Sequence, residues 1–434
     1  MEAILARAQK VAKEAEVFEV TSEETQVRFE ANRLKQMQTN QSTMVALRII
    51  KDGRVGYATT TGISDGQQLV NDAVDTAAFG SEAKFKLPDG ERYPKVEIFD
   101  ASVPKVPIKD MVALGEQMVT AVTAHTEGIL CDALVSRSVM TVRLINSRGG
   151  QAEYKKSFFS LDLEGSLIKG TDMLFVGEGD SSCHPLSNPQ NVIDTVLKQL
   201  DLAKNKAKSP TKTLPVIFTP NGVASALILP LISAFNGKVV LEGASPLGDK
   251  AGQKFFDAGF SLCDDPTVAY RPTTRPCDDE GVASQKTPLV TKGIVNGFLY
   301  DLQTAALAKK KSTGNGNRTR GSLPTPSPSA LVITPGKTTF DNMVKDIQEG
   351  LVIEALMGAE QGNILGGDFS GNVLLGYKIE KGEIVGRIKD TMVSGNVYKI
   401  LKDIAAIGSK TKWVSSFLQT PPFYCKELSV SSTG

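Results

Sequence analysis

Histidine is nearly absent from this chain: His125 and His184 are the only two among 434 residues. That scarcity removes any paired-histidine motif at helical spacing, a common way of holding a catalytic zinc. Cysteine is little used as well. The five (Cys131, Cys183, Cys263, Cys277, Cys425) are odd in number, widely spaced and form no CxxC. They fit reduced thiols better than a disulfide framework or a structural zinc site. Neither sign of charge is in excess, with 49 Lys and Arg against 48 Asp and Glu. A protein that lives by neutralising phosphates shows a basic surplus, so direct nucleic-acid binding is disfavoured. The longest apolar run, Val223 to Phe235, carries Pro230 near its centre and falls short of the roughly 20 residues of a membrane helix. Residues 1–20 spread their charges along an amphipathic face and lack the sections of a signal peptide, so a cytoplasmic chain is expected.

What is present suggests a soluble globular protein of about two to three domains. The spacing predicts a helix over 2–16, antiparallel strands at 25–31, 34–41, 43–51 and 54–60, and a helix over 65–78. Asp52-Gly53 is a two-residue hairpin signal, because both turn residues tolerate positive φ. The order then repeats: a helix at 108–124, strands at 128–136, 139–146, 151–159 and 161–169, and a helix at 189–207. From Leu214 the texture becomes rich in Gly, Pro and short strands, with an extended, Pro-rich piece at 323–329. The expected fold class is α+β. Two domains, 1–105 and 106–213, resemble a duplicated helix and antiparallel-sheet unit, and a large, mainly antiparallel β domain follows over 214–434.

Three segments concentrate polar chemistry. Asp278-Asp279-Glu280-Gly281 can turn sharply and aim carboxylates inward. Gly314 to Ser322 (GNGNRTRGS) sets Asn315, Asn317 and Arg318 between glycines, offering amide donors and a guanidinium fork. Gly367-Asp368-Phe369-Ser370 brackets an acid and a hydroxyl before a strand. A fourth run, VGEGDSSCH at 176–184, gathers Ser181, Ser182, Cys183 and His184. Sequence neighbours rarely form a nucleophile–base pair, so an independent Ser or Cys hydrolase stands as an alternative only.

Together these segments resemble the TldD/PmbA family of metallopeptidases, also known as modulators of DNA gyrase. The likeness runs through VALRIIKDGRVGYATTTGIS (45–64), the DDEG to GNGNRTRGS region (278–322), GNILGGDFSGNVLLGYKIEKGEIVGRIKD (362–390), VSGNVYKILKDIAAIG (393–408) and the closing ELSVSSTG. The resemblance implies an α+β N-terminal region, a β-rich C-terminal domain and a dimeric cytoplasmic peptidase. One branch of the family carries an HExxxH metal helix after a strand like LPVIFTPNG (214–222). Here that place holds Ile228 to Ser233, without His or Glu, and Cys425 falls late for a metal ligand. The chain therefore resembles the PmbA (TldE-like) branch, with no metal and no catalytic residue of its own. The implied role is to bind unfolded or small peptides for a metal-containing (zinc) HExxxH, TldD-like partner, as heterodimer or homodimer. The peptide cleft is expected to be lined by Asp278, Glu280, Gly281, Asn315, Asn317, Arg318, Gly367, Asp368, Phe369 and Ser370. A non-proteolytic regulator of gyrase is the other alternative.

Overall fold

The computed structural model describes residues 1–62, 66–90 and 92–433, Arg320 without its side chain. The chain opens with α1 (Glu2–Ala8), β1 (Glu14–Glu30), β2 (Arg33–Lys51), β3 (Arg54–Thr60) and α2 (Gly66–Ala77). The order recurs as α3 (Ile108–His125), β4 (Leu130–Asn146), β5 (Gln151–Lys169), β6 (Asp172–Ser182) and α4 (Gln190–Leu202). All six strands share one antiparallel sheet, ordered β3-β2-β1-β4-β5-β6. The two units thus meet along β1 and β4, and β3 and β6 become the outer edges.

Asp52 (φ 51) and Gly53 (φ 78) make the expected tight turn from β2 to β3. Other boundaries differ. The helix expected over 2–16 ends at Ala8, because β1 begins at Glu14, where Glu14 to Val20 pair with Ile50 to Met44 of β2. Cross-strand pairing outweighs the helix propensity of Ala and Glu there. The short strands expected at 34–41 and 43–51 are one strand, as are the pairs within β4 and β5. The helix expected at 65–78 is α2; residue 65 lies outside the described residues.

Alternation along β1 and β2 sorts the sheet's two faces. Val17, Leu47 and Ile49 turn toward α1 and α2, and Val27 and Phe29 pack with α3. Phe18 and Ala46 face the other way with Val142, Leu144 and Cys277. Glu16 and Arg48, directly opposite one another in the register, share that second face.

The C-terminal half contains β7 (Lys212–Phe218), α5 (Pro220–Ala226), α6 (Ile228–Ala234), α7 (Gly237–Leu241), β8 (Leu262–Asp264), β9 (Thr287–Thr291), β10 (Ile294–Val295) and α8 (Leu302–Leu307). It continues with β11 (Gly316–Asn317), β12 (Thr325–Pro326), β13 (Leu331–Ile333), α9 (Phe340–Lys345), β14 (Glu349–Met357), β15 (Asp368–Glu380) and β16 (Glu383–Arg387). Last come β17 (Thr391–Asn396), α10 (Val397–Ile400), β18 (Ile404–Ile407), β19 (Lys412–Val414), β20 (Leu418–Thr420) and β21 (Phe423–Ser432).

β14 pairs with both β7 and β15, so the ring β14-β7-β21-β17-β15 closes into a barrel. Closure removes the sheet's free edges over those strands. A second sheet runs β10-β9-β8-β13-β20-β19. Between the two lies an aromatic core that includes Phe218, Phe235, Phe260, Phe369 and Phe423, with α5 and α6 packed into it. Ile217, Val352 and Tyr377 on the barrel's outer side meet α3 and α4, joining the halves through a second core. No helix among the described residues is long and apolar enough to cross a membrane.

Candidate functional site

The DDEG turn and the GNGNRTRGS loop come together, as their chemistry suggests, but they close on each other and on the N-terminal sheet. Asp278, Glu280, Asn315 and Arg318 are all buried. Glu280 Oε1 takes a hydrogen bond from Arg48 Nη1 at 2.5 Å, and its other oxygen accepts from the Leu302 N–H at 2.7 Å. Arg48 also reaches Glu16 at 3.1 Å, and Arg318 meets the same Glu16. Arg318 Nε donates to the Asp279 carbonyl at 3.0 Å, and Asp279 Oδ1 accepts from Arg275 at 2.8 Å.

Asp278 accepts from the N–H groups of Glu280, Val282 and Gly316. Burial and the nearby Glu280 carboxylate nevertheless push its carboxyl up, to about 8. Gly281 adopts φ 76, which lets the chain reverse after Glu280. Gly316 lies so close to Glu280 that a Cβ there would fall 2.6 Å from a carboxylate oxygen. Asn315 donates to Asp264 at 2.6 Å and to the Ser327 carbonyl at 3.0 Å. Asn317 is half-buried and pairs with Thr325 across β11 and β12.

The third expected segment lies elsewhere, on β15 of the barrel. Asp368 and Ser370 are exposed, and Asp368 accepts from Asn396 at 2.8 Å. Phe369 points inward against Phe218, edge to face at 6.1 Å, and Gly367 adopts φ 80 beneath the Tyr398 ring. The ten residues expected to form one open wall therefore occupy two places. The reason is chemical: the glycines turn the carboxylates inward, where Arg48 of the sheet meets Glu280 and Arg275 meets Asp279. That locks the two halves of the chain together and leaves the acids and Arg318 without an open face.

The open cleft is on the other side, between the β6 edge and the β domain. One cavity of about 330 Å³ is lined by Asp162, Glu178, Asp180, Asn221, Trp413 and neighbours. A second of about 610 Å³ opens beside it, bounded by Leu130, Phe175, Val176, Glu354, Met357 and Leu374. Glu164, Gly177 and Asn221 belong to both, so the cleft is continuous.

Thr219 caps α5 and binds Glu354 at 2.8 Å, while Asn221 in the first turn reaches Glu178 at 3.4 Å. Burial pushes the Glu354 carboxyl up. Along β6 the N–H groups of Gly177, Gly179 and Ser181 bond to side-chain oxygens, those of Gln199, Glu178 and Asp180, at 2.8 to 3.0 Å. A row of N–H groups at every second residue marks the unpaired side of an edge strand. Lys412 of β19 meets Glu178 across the cleft, and Ser181 bonds Ser416 at 2.7 Å.

The cleft residues are absent from the expected site. Their signal was Gly177-Glu178-Gly179-Asp180, an acid–glycine alternation inside a run read as a nucleophile loop. The structure makes that run a strand. Cys183 is buried, its thiol pushed up to about 11 by burial, and the His184 ring bonds Asp100 at 2.6 Å. His125 bonds Asp201 at the surface, on α3. Where a metal-binding helix would follow β7, α6 buries Ile228 and Leu231 in the apolar core. Cys425 lies buried in β21, its thiol pushed up to about 12 by desolvation. The residues present do not fit a metal there. Among the described residues no three His, Cys, Asp or Glu side chains are placed to hold one anywhere else.

A sheet flanked by helices, joined to a closed β barrel across an open cleft, defines the architecture, and sequence comparison places it. Residues 211–432 match the PmbA/TldA metallopeptidase C-terminal domain, and residues 15–79 match domain 1 of the same group. The chain belongs to the PmbA/TldD metallopeptidase family. It is 29% identical over 411 residues to an uncharacterized protein of Methanocaldococcus jannaschii, covering 93% of each chain. A Methanothermobacter thermautotrophicus protein named metalloprotease is 23% identical over 91% of this chain and 88% of its own. The crystal structure of TldE from Thermococcus kodakarensis shares the fold, with a TM-score of 0.89, 22% identity and full coverage of both chains.

Proposed function

We propose that this chain is the peptide-binding, metal-free subunit of a cytoplasmic PmbA/TldD-type metallopeptidase. An HExxxH partner subunit supplies the metal and the hydrolytic step. The observation that carries the reading is the half-buried β6 edge facing the cleft, whose alternate N–H groups pair with no neighbouring strand among the described residues. An extended peptide adds to such an edge through main-chain bonds, which demand little of its sequence. Two of the three outward N–H groups are held by the carboxylate of the preceding residue. A peptide carbonyl replaces a bond of that kind without breaking any strand pairing. α6 supports the assignment from the other side, since it offers apolar packing where the catalytic branch offers histidines.

Binding is tested by titrating the full chain with an unstructured, end-blocked peptide and following Trp413, the only tryptophan in the sequence, which lines the cleft. A saturable change is expected, and replacing Gly179 with proline, which removes one edge N–H, is expected to weaken it. Saturable binding unaffected by that substitution would place the peptide elsewhere and sink the edge-pairing reading.

A further inference from the structure

The lining of the cleft points beyond a general peptide site, to the kind of segment it prefers. In the larger cavity Leu130, Phe175, Met357 and Leu374 are 37 to 57% exposed, an unusual convergence of open apolar side chains. Asp132, Glu164 and Glu354 stand among them. The adjoining cavity adds Asp162, Glu178 and Asp180. Among the described residues no lysine or arginine lines either cavity, although the whole chain is balanced at 49 basic and 48 acidic residues. Two cations border them: Lys412 is paired with Glu178, and Arg271 donates to the Ser181 carbonyl at 3.3 Å beside Asp180.

We propose that the cleft selects extended segments carrying lysine or arginine, the aliphatic stem on the apolar wall and the cationic head among the carboxylates. The proposal rests on the peptide-binding reading above. Lysine and arginine are the side chains that combine a long apolar stem with a charged end, and acidic segments are rejected by like charge. Trp413 lines the same cavity, and the Arg271 guanidinium already lies over its ring at 4.7 Å, the kind of contact by which an aromatic face attracts cations. Asp162 has like charges around it: burial is the main cause that raises its proton affinity, a hydrogen bond with Ser160 lowers it, and Glu164, Glu178 and Asp180 raise it further. Asp162 lines a concave, acid-walled corner, where a bound cation relieves the repulsion.

The test uses the full chain and three end-blocked peptides with one backbone and no aromatic residues. Their alternate positions carry lysine, norleucine (the stem without the charge) or glutamate. Trp413 fluorescence reports binding. The lysine peptide is expected to bind about tenfold more tightly than the norleucine peptide at low salt, with the advantage shrinking as salt rises. The glutamate peptide is expected to bind least.

In the Glu164→Gln/Asp180→Asn variant the lysine advantage is expected to fall within about twofold. In Glu164→Lys/Asp180→Lys the order reverses, a gain that a misfolded variant cannot produce. Equal binding of lysine and norleucine peptides, or an undiminished preference in the neutral variant, overturns the charge selection and leaves peptide binding standing. Failure of all three peptides to bind overturns the peptide-binding reading itself.

Discussion

Replacing Arg48 with methionine isolates the tie between the N-terminal sheet and the β domain. Arg48 is 3% exposed, and its partners Glu16 and Glu280 are 0% and 1% exposed. Removing the guanidinium leaves Glu16 with Arg318, but strips Glu280 of its ion-pair partner. Breaking one side of a buried pair costs about 3–5 kcal/mol, because the surviving charge stays desolvated. The deficit depends on pH in a defined direction. Burial already holds the Glu280 carboxyl above its ordinary value, with Arg48 pulling against it. Without Arg48 the folded state binds that proton more tightly still. Stability of the variant is therefore lost as pH rises through the folded-state value and regained as pH falls toward the ordinary carboxylate range. Equilibrium urea unfolding at several pH values measures both effects. The double variant Arg48→Met/Glu280→Leu supplies the control, since it removes both charges and should recover much of the loss. A single variant within about 1 kcal/mol of the parent at every pH, near the worth of an exposed pair, would refute the buried-tie account.

Three further outcomes are expected. Asp264 is fully buried and its carboxyl is pushed up to about 6 by desolvation. It thus lends stability at acidic pH that is lost as pH rises through about 6. Asp264→Asn should flatten that dependence, worth roughly 3 kcal/mol, in thermal melts across pH 4–7. Gly222→Ala places a Cβ 2.3 Å from the Ile353 carbonyl, so α5 must shift away from β14. A loss of about 1–3 kcal/mol is expected, with weakened peptide binding because Asn221 moves with the helix. Phe218→Ala empties the aromatic core beneath Phe369 and should cost about 3–5 kcal/mol in chemical unfolding.

Much of the fold was legible where local chemistry and tertiary structure agree. Asp52-Gly53 and Lys381-Gly382 both turn with positive φ between paired strands. The helices at α3 and α4 followed their apolar stripes. Legibility failed where one face of a strand does not define it. Residues 33–42 of β2 are mostly exposed on both faces, so no apolar alternation marks the long strand. β6 was hidden because its outward residues are glycines and acids, suited to a cleft edge and not to a core. The expected site illustrates the same limit. Polar residue types in Asp278 to Glu280 and Asn315 to Arg318 announced a cluster, but sequence does not say whether a cluster opens to solvent or is sealed by Glu16 and Arg48 from more than two hundred residues away. Long-range pairing decided that question.

The central claim is a division of labour between a chain that holds peptide and a partner that cleaves it. The direct measurement is cleavage of an unfolded peptide by this chain alone, by an HExxxH partner alone, and by the two mixed, with metal content determined for each. The account predicts no cleavage and no stoichiometric metal in this chain alone, and greater cleavage in the mixture than by the partner alone. Cleavage by this chain alone, purified free of any partner, would contradict it.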